Sequence, residues 1–286
     1  MRRLFVSYWD LLRGLIRSDI TLLSIFPSCA SVVLAANNSL SKILSASLLV
    51  TIGAVFMHTI GCVINDILDR DIDSKVQRTK NRPLADGRLT VKNATILIML
   101  MLPVPCALLL FTNPLTCYLS VICAIGAALY PLMKRITTCP QIFLGIVWNF
   151  GVLIGCAIVA NKLTLGCILM YIGCAFWTVA FDTIYAHQDK ECDAILGVGS
   201  SALKFGDKSR AYILGMNIIT IIMWTSCGIV SRLNWPFYMC MLGAIGVFYY
   251  QYRCTDFDSP EKCMHMFLMN ILAGWWLFFG VCLGSL

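Results

Sequence analysis

Two aspartate-rich segments hold the residues best placed to do chemistry: Asn65-Asp66-x-x-Asp69-x-x-x-Asp73, and far downstream Asp182-x6-Asp189-x-x-x-Asp193. In the first, Asp66, Asp69, Asp71 and Asp73 crowd together with only Arg70 among them. Carboxylates so close to an apolar run repel one another and are costly beside a bilayer unless a cation joins them. Hard oxygen ligands of this kind suit Mg²⁺, which keeps several waters and commonly bridges one or two carboxylates to substrate phosphates. The pattern therefore predicts a divalent metal and a diphosphate held at a membrane surface.

Helical periodicity sorts the acids by face. At about 100° per residue, Asp66, Asp69 and Asp73 share one face and Asp71 points away. In the second segment Asp182, Asp189 and Asp193 share a face while Glu191 lies opposite. Acids at helix ends are often only solvated or paired with loop lysines, but two segments with matching three-acid faces argue for a common task. The basic partners follow closely. SKVQRTKNRPLADGRLT after the first segment supplies Lys75, Arg78, Lys80, Arg82 and Arg88, and YPLMKRITTCPQ supplies Lys134 and Arg135. Guanidinium and ammonium groups neutralise the charge that grows on a departing diphosphate.

The elements that must position these residues are membrane helices. The chain is 59% apolar and 13% charged, with a mean hydropathy of +0.79, far too apolar for a soluble domain of its length. Nine apolar stretches, at 20–36, 43–64, 93–111, 115–132, 141–160, 164–186, 211–230, 235–252 and 264–285, approach the roughly 20 residues a spanning helix needs. The fold class expected is an all-α integral membrane protein, with nine transmembrane helices bundled around a central cavity in a single domain spanning 1–286. Both acidic segments sit at the ends of spans, the second and the sixth, which suggests a pseudo-repeat that brings equivalent helix ends together. No interrupted pair of helices is read from the sequence.

Of the 22 Lys and Arg, 19 fall in the amino terminus and alternate connections, and every Asp and Glu lies on that same side. Positive-inside bias then places the amino terminus and both acidic segments on the cytoplasmic face. The net charge of +7 reads as this bias plus anion binding, with no nucleic-acid partner. Residues 1–19 carry Arg2, Arg3, Arg13 and Arg17 around Leu4, Phe5, Tyr8, Trp9, Leu12 and Leu15, the pattern of an amphipathic segment lying in the interface. They show no signal-peptide pattern, and a mitochondrial presequence is not expected. The fifteen cysteines fall mostly inside apolar spans without Cys-x-x-Cys and read as small packing residues. His58 and His265 read as ordinary intramembrane or boundary residues, and His187 as structural support near the second acidic segment.

Taken together, NDILDRDIDSKVQRTKNRPLADGRLT, YPLMKRITTCPQ and DTIYAHQDKECDAILGVGSSALKFG resemble the UbiA superfamily of intramembrane aromatic prenyltransferases, nearest its 4-hydroxybenzoate polyprenyltransferase branch. The resemblance implies an all-helical bundle, Mg²⁺-dependent ionisation of an isoprenyl diphosphate, and attack on the carbocation by an electron-rich aromatic ring. By it, Asn65, Asp66, Asp69, Asp73, Asp182, Asp189 and Asp193 hold metal, with Asp66, Asp69, Asp73, Asp189 and Asp193 as the catalytic acids. Arg78 and Arg82 match the R-x-x-N-R-P element, and Lys134 and Arg135 the Y-P-x-x-K-R element, as diphosphate contacts. Tyr130, Asn149 and Tyr185 are expected to line the pocket, where an aromatic face can stabilise an allyl cation, although core packing competes for each.

Three departures from the family pattern stand out. Cys192 replaces a common acid, Gly199 replaces a common basic residue, and the first-helix signature is short, with Arg17 as the counterpart of its basic residue. Lys204 is read as compensating for Gly199 at the diphosphate. These departures favour a secondary-metabolic, meroterpenoid-type member in an ER-type membrane, with a farnesyl-length donor and a phenolic acceptor. Polyprenyl transfer to 4-hydroxybenzoate and a terpene cyclase of the same fold are the alternatives. A cation-coupled transporter is the alternative from a different class. No protein partner is implied.

Overall fold

A computed structural model describes residues 18–286, which form fourteen α-helices with no strand among them. The interfacial segment expected at 1–19 and Arg17 lie outside the described residues, apart from Ser18 and Asp19, which open the first helix. All nine apolar stretches are helical. They correspond to α1 (Ser18–Ala35), α2 (Leu40–Asp73), α3 with α4 (Val91–Met101 and Pro103–Leu109), α5 (Pro114–Ile136), α6 with α7 (Pro140–Trp148 and Phe150–Ala160), α8 (Leu165–Ala186), α11 (Ser209–Val230), α12 (Trp235–Cys254), and α13 with α14 (Pro260–Leu268 and Asn270–Gly284).

Among the described residues, seven helical stretches are long and apolar enough to cross a membrane, where nine were expected. The two that fall short have evident reasons. The apolar part of α1 runs only from Ile20 to Ala35, and α12 carries four tyrosines, Pro236 and Gln251.

The reading without interrupted helices is also corrected. Three spans are built from two helices each, broken at Leu102, Asn149 and Met269. Pro103 opens α4, where its missing N–H is tolerated. At the second break Asn149 is buried, and its Nδ2 donates to Gly145 O, Cys174 O and Thr178 Oγ1 at 2.8–3.1 Å. At the third, Asn270 donates to Met266 O and Phe267 O while accepting from Trp177 Nε1 at 2.8 Å. The apolar runs continue straight through such breaks, because a single asparagine among so many apolar residues barely lowers their mean hydropathy.

The core lies along α8, α11, α12 and α14. Trp177, Trp224, Phe237 and Leu277 are fully buried there, and Trp177 meets Phe181 and Trp224 edge to face. On the other flank α2 is distinctive for its length. Its 34 residues rise about 51 Å against a hydrocarbon thickness of about 30 Å, so its carboxyl-terminal turns extend beyond the apolar layer. The acids of the first segment occupy those turns.

The connection after α2 folds back over the helix end. Leu84 and Leu89 bury against Val63 and Ala94, and Thr79 Oγ1 donates to Asp73 O at 3.0 Å. This anchoring fixes where Arg78 and Arg82 stand. On the opposite side α8 continues through a 3₁₀ turn (His187–Asp189) into α9 (Lys190–Leu196), which stops at Gly197 with φ +67°. A short helix α10 (Ser201–Phe205) then leads to α11.

Candidate active site

Both acidic helix ends open onto one cavity of about 700 Å³. Asn65, Asp66, Asp69 and Asp73 line it from α2, Asp182, Asp189 and Asp193 from α8 and its continuation, and Tyr130, Lys134 and Tyr185 complete its mouth. Asp71 points away as periodicity predicts, with its side chain 84% exposed and paired only with Arg70. Glu191 is likewise exposed and absent from the cavity wall.

Each cavity cation engages an acid. Arg82 Nη1 donates to Asp66 Oδ1 at 2.9 Å and to Asp73 Oδ2 at 2.8 Å. Lys134 Nζ stands 2.5 Å from Asp69 Oδ2. Arg78 reaches across to the second segment, with Nε donating to Asp189 Oδ1 at 3.0 Å and Nη2 donating to Oδ2. Its Nη1 donates to Tyr185 Oη at 3.0 Å, and its guanidinium carbon lies 5.4 Å from the Tyr185 ring centroid. Burial alone would lower the Arg78 pKa, but the bonds to Asp189 outweigh it and raise the value. For Arg82, too, burial lowers the pKa, and the charges of Asp66 and Asp73 more than restore it. Three cations thus pair with four of the six acids on the cavity wall, Asp66, Asp69, Asp73 and Asp189, so the carboxylates outnumber the bases where polar and apolar walls meet.

The donor set fits a divalent ion. Asp66 and Asp73 already converge on a single positive centre, the Arg82 Nη1, and all the donors are hard oxygens. Asp69 is 3% exposed, and its Oδ1 has no hydrogen-bond partner, with Arg135 Nη2 standing off at 3.6 Å. Among the described residues no three His, Cys, Asp or Glu side chains close on one point. An ion here would complete its shell from water and substrate phosphate, as Mg²⁺ characteristically does.

Several expected site residues stand elsewhere. Asn149 does not line the cavity; its amide is consumed by the α6–α7 break. Lys204 opens onto a separate, smaller pocket on the outer side of the Lys134 turn, together with Arg135, Thr137 and Gly199. Arg135 is peripheral as well, its Nη2 donating to Leu68 O at 2.6 Å. Gly199 has a reason to be glycine: its N–H donates to Lys134 O at 2.7 Å, and a Cβ there would stand 1.9 Å from Thr137 O. No side chain fits without moving that turn. Cys192 is off the cavity wall.

Gln141 is a cavity residue that the sequence reading passed over. It is buried in the first turn of α6 and accepts from Ser201 N at 3.1 Å, so it ties the start of that span to the loop after α9, on the same cavity wall as Asp182. An amide at the start of an apolar span was the available signal.

The model of the UbiA prenyltransferase family matches residues 24–282. The chain is 36% identical over 275 residues to the 4-hydroxybenzoate octaprenyltransferase of Vibrio vulnificus, covering 96% of each. It is 39% identical over 239 residues to the mitochondrial 4-hydroxybenzoate polyprenyltransferase of Aedes aegypti, 82% of this chain but only 53% of that protein. It likewise covers 66% of the mitochondrial 4-hydroxybenzoate polyprenyltransferase of Caenorhabditis elegans. In fold it matches a UbiA homologue from Aeropyrum pernix with a TM-score of 0.79 at 23% identity, covering 95% of this chain and all of the other. A homologue from Archaeoglobus fulgidus bound to GPP and Mg²⁺ matches at 0.67 and 17% identity, covering 97% of this chain and all of the other. These relatives are bacterial, archaeal or named mitochondrial, so the expected ER-type preference has no support among them.

Proposed function

The chain belongs to the UbiA prenyltransferase family and is a multi-pass membrane prenyltransferase, and from this premise we propose that it transfers a polyprenyl group from its diphosphate to a ring carbon of 4-hydroxybenzoate. The observation that carries this reading is the likeness to 4-hydroxybenzoate prenyltransferases over nearly the whole chain, joined to acids and bases of three sequence elements that converge at one cavity mouth. It replaces the meroterpenoid reading, whose secondary-metabolic role and farnesyl-length donor find no counterpart in the names of these relatives.

In this reading the donor's diphosphate lies between the two acidic helix ends, on the cytoplasmic face by charge bias, with its tail in the apolar part of the cavity. Asp66, Asp69, Asp73, Asp182, Asp189 and Asp193, with Asn65, would hold Mg²⁺, which when bound would supply positive charge to the departing phosphate oxygens. Arg78, Arg82 and Lys134 turn from their carboxylates toward the diphosphate as it binds. The C1–O bond then breaks with its electron pair leaving on the diphosphate, and a ring carbon beside the phenol hydroxyl forms the new bond to C1. The displaced ring proton passes to water or to the released diphosphate. Tyr130 and Tyr185 present aromatic faces toward the positive carbon, and the surrounding helices keep water from quenching it.

The test is incubation of membranes carrying the protein with geranyl, farnesyl and longer polyprenyl diphosphates, 4-hydroxybenzoate, and either Mg²⁺ or EDTA, with products read by mass spectrometry. A metal-dependent adduct of ring plus prenyl mass is expected. Diphosphate release with only hydrocarbon products would replace this reading with the cyclase.

A further inference from the structure

The cavity does not end below the acids. It continues along α2 past Gly61, His58 and Gly53 to Leu49, and its far walls include Thr112 and Ile158. Part-way down, His58 from α2 and Trp148 from the end of α6 meet edge to face, with ring centroids 5.2 Å apart at 87°. The two helices share little backbone contact, so it is these side chains that join them at a level where both line the cavity. His58 Nε2 is also 3.6 Å from Cys62 Sγ one turn nearer the acids, which helps hold the imidazole in place.

We propose that His58 and Trp148 form a clasp that selects donors by isoprenoid chain length. The inference rests on the assignment of this cavity to the donor. His58 precedes Asp69 by eleven residues on one helix, a rise of about 16 Å. An isoprene unit adds four chain bonds of about 1.5 Å, roughly 5 Å when extended. The clasp therefore meets the tail near its third unit. Geranyl chains stop short of it, farnesyl ends at it, and longer chains lie along the indole and continue toward Leu49. Because channel remains beyond the clasp, no floor limits the donor to farnesyl. The indole gives longer chains an apolar, aromatic surface that shorter chains never reach.

The test is the ratio of kcat/KM for geranylgeranyl over geranyl diphosphate, read as diphosphate release from the full-length protein in membranes. This readout needs no particular acceptor, so it separates failure of the clasp from failure of the 4-hydroxybenzoate assignment. Trp148→Ala is expected to lower the ratio about tenfold through lost apolar contact, and Trp148→Phe to restore most of it. His58→Ala, which removes the opposing ring, is expected to lower it in the same direction and serves if Trp148→Ala does not accumulate. A ratio that stays unchanged or rises, or an equal loss for both donors, overturns the proposal.

Discussion

Arg78 and Asp189 stand 111 residues apart in the chain and are joined by a two-pronged ion pair, Nε to Oδ1 at 3.0 Å and Nη2 to Oδ2. This bond carries the loop after the first acidic segment onto the second. It makes one site of two helix ends. A planar guanidinium meets a carboxylate in this way, and a lysine cannot. Arg78→Lys should therefore behave nearly as poorly as Arg78→Ala, with kcat/KM for the donor down by about tenfold or more. An Arg78→Lys enzyme with wild-type kcat/KM in steady-state assays would show that the fork is dispensable.

Removal of a carboxylate at the cavity mouth should act on turnover rather than on folding. Asp69→Ala and Asp189→Ala are each expected to lower kcat by roughly 10²-fold or more, as loss of a group that stabilises charge in the transition state does. Asp71→Asn, on the exposed side of the same helix turn and paired only with Arg70, is expected to retain wild-type turnover. Product formation together with thermal unfolding in detergent separates the two effects. Full activity in either alanine variant would remove that aspartate from the site.

Chelation gives an independent reading of the acids. EDTA should stop diphosphate release from a donor even when no aromatic acceptor is present, and added Mg²⁺ should restore it. Release that persists in EDTA would mean that Arg78, Arg82 and Lys134 suffice to ionise the donor.

Gly199→Ala tests the turn that carries Lys134. Its Cβ would enter the space of Thr137 O, so the Gly199–Lys134 hydrogen bond must lengthen or the turn must shift. A loss of about 1–3 kcal/mol is expected, a fall of several degrees in the unfolding midpoint. An unchanged midpoint would show that the turn yields freely.

Asn149→Ala separates a structural amide from a pocket residue. Three acceptors lose their donor, Gly145 O beside the α6–α7 break and Cys174 O and Thr178 Oγ1 on α8, so the expected cost is about 1–3 kcal/mol in stability. The donor KM should be little changed, since the side chain does not face the cavity. A raised KM with an unchanged unfolding midpoint would return Asn149 to the substrate pocket.

The sequence alone determined the solvent of this protein, its helices, and the faces on which its acids lie. Apolar runs of spanning length and a period of 3.6 residues are local properties, so Asp66, Asp69 and Asp73 could be grouped, and Asp71 and Glu191 set apart, without coordinates. The tertiary structure decided which base meets which acid. Arg82 turns back to its own helix end while Arg78 crosses to the other, on a loop tied down by Thr79 to Asp73 O and by the burial of Leu84 and Leu89. The structure also removed Asn149 and Lys204 from the cavity and placed the helix breaks. Each of these depends on side chains that meet across helices far apart in the chain, and local periodicity carries no record of such meetings.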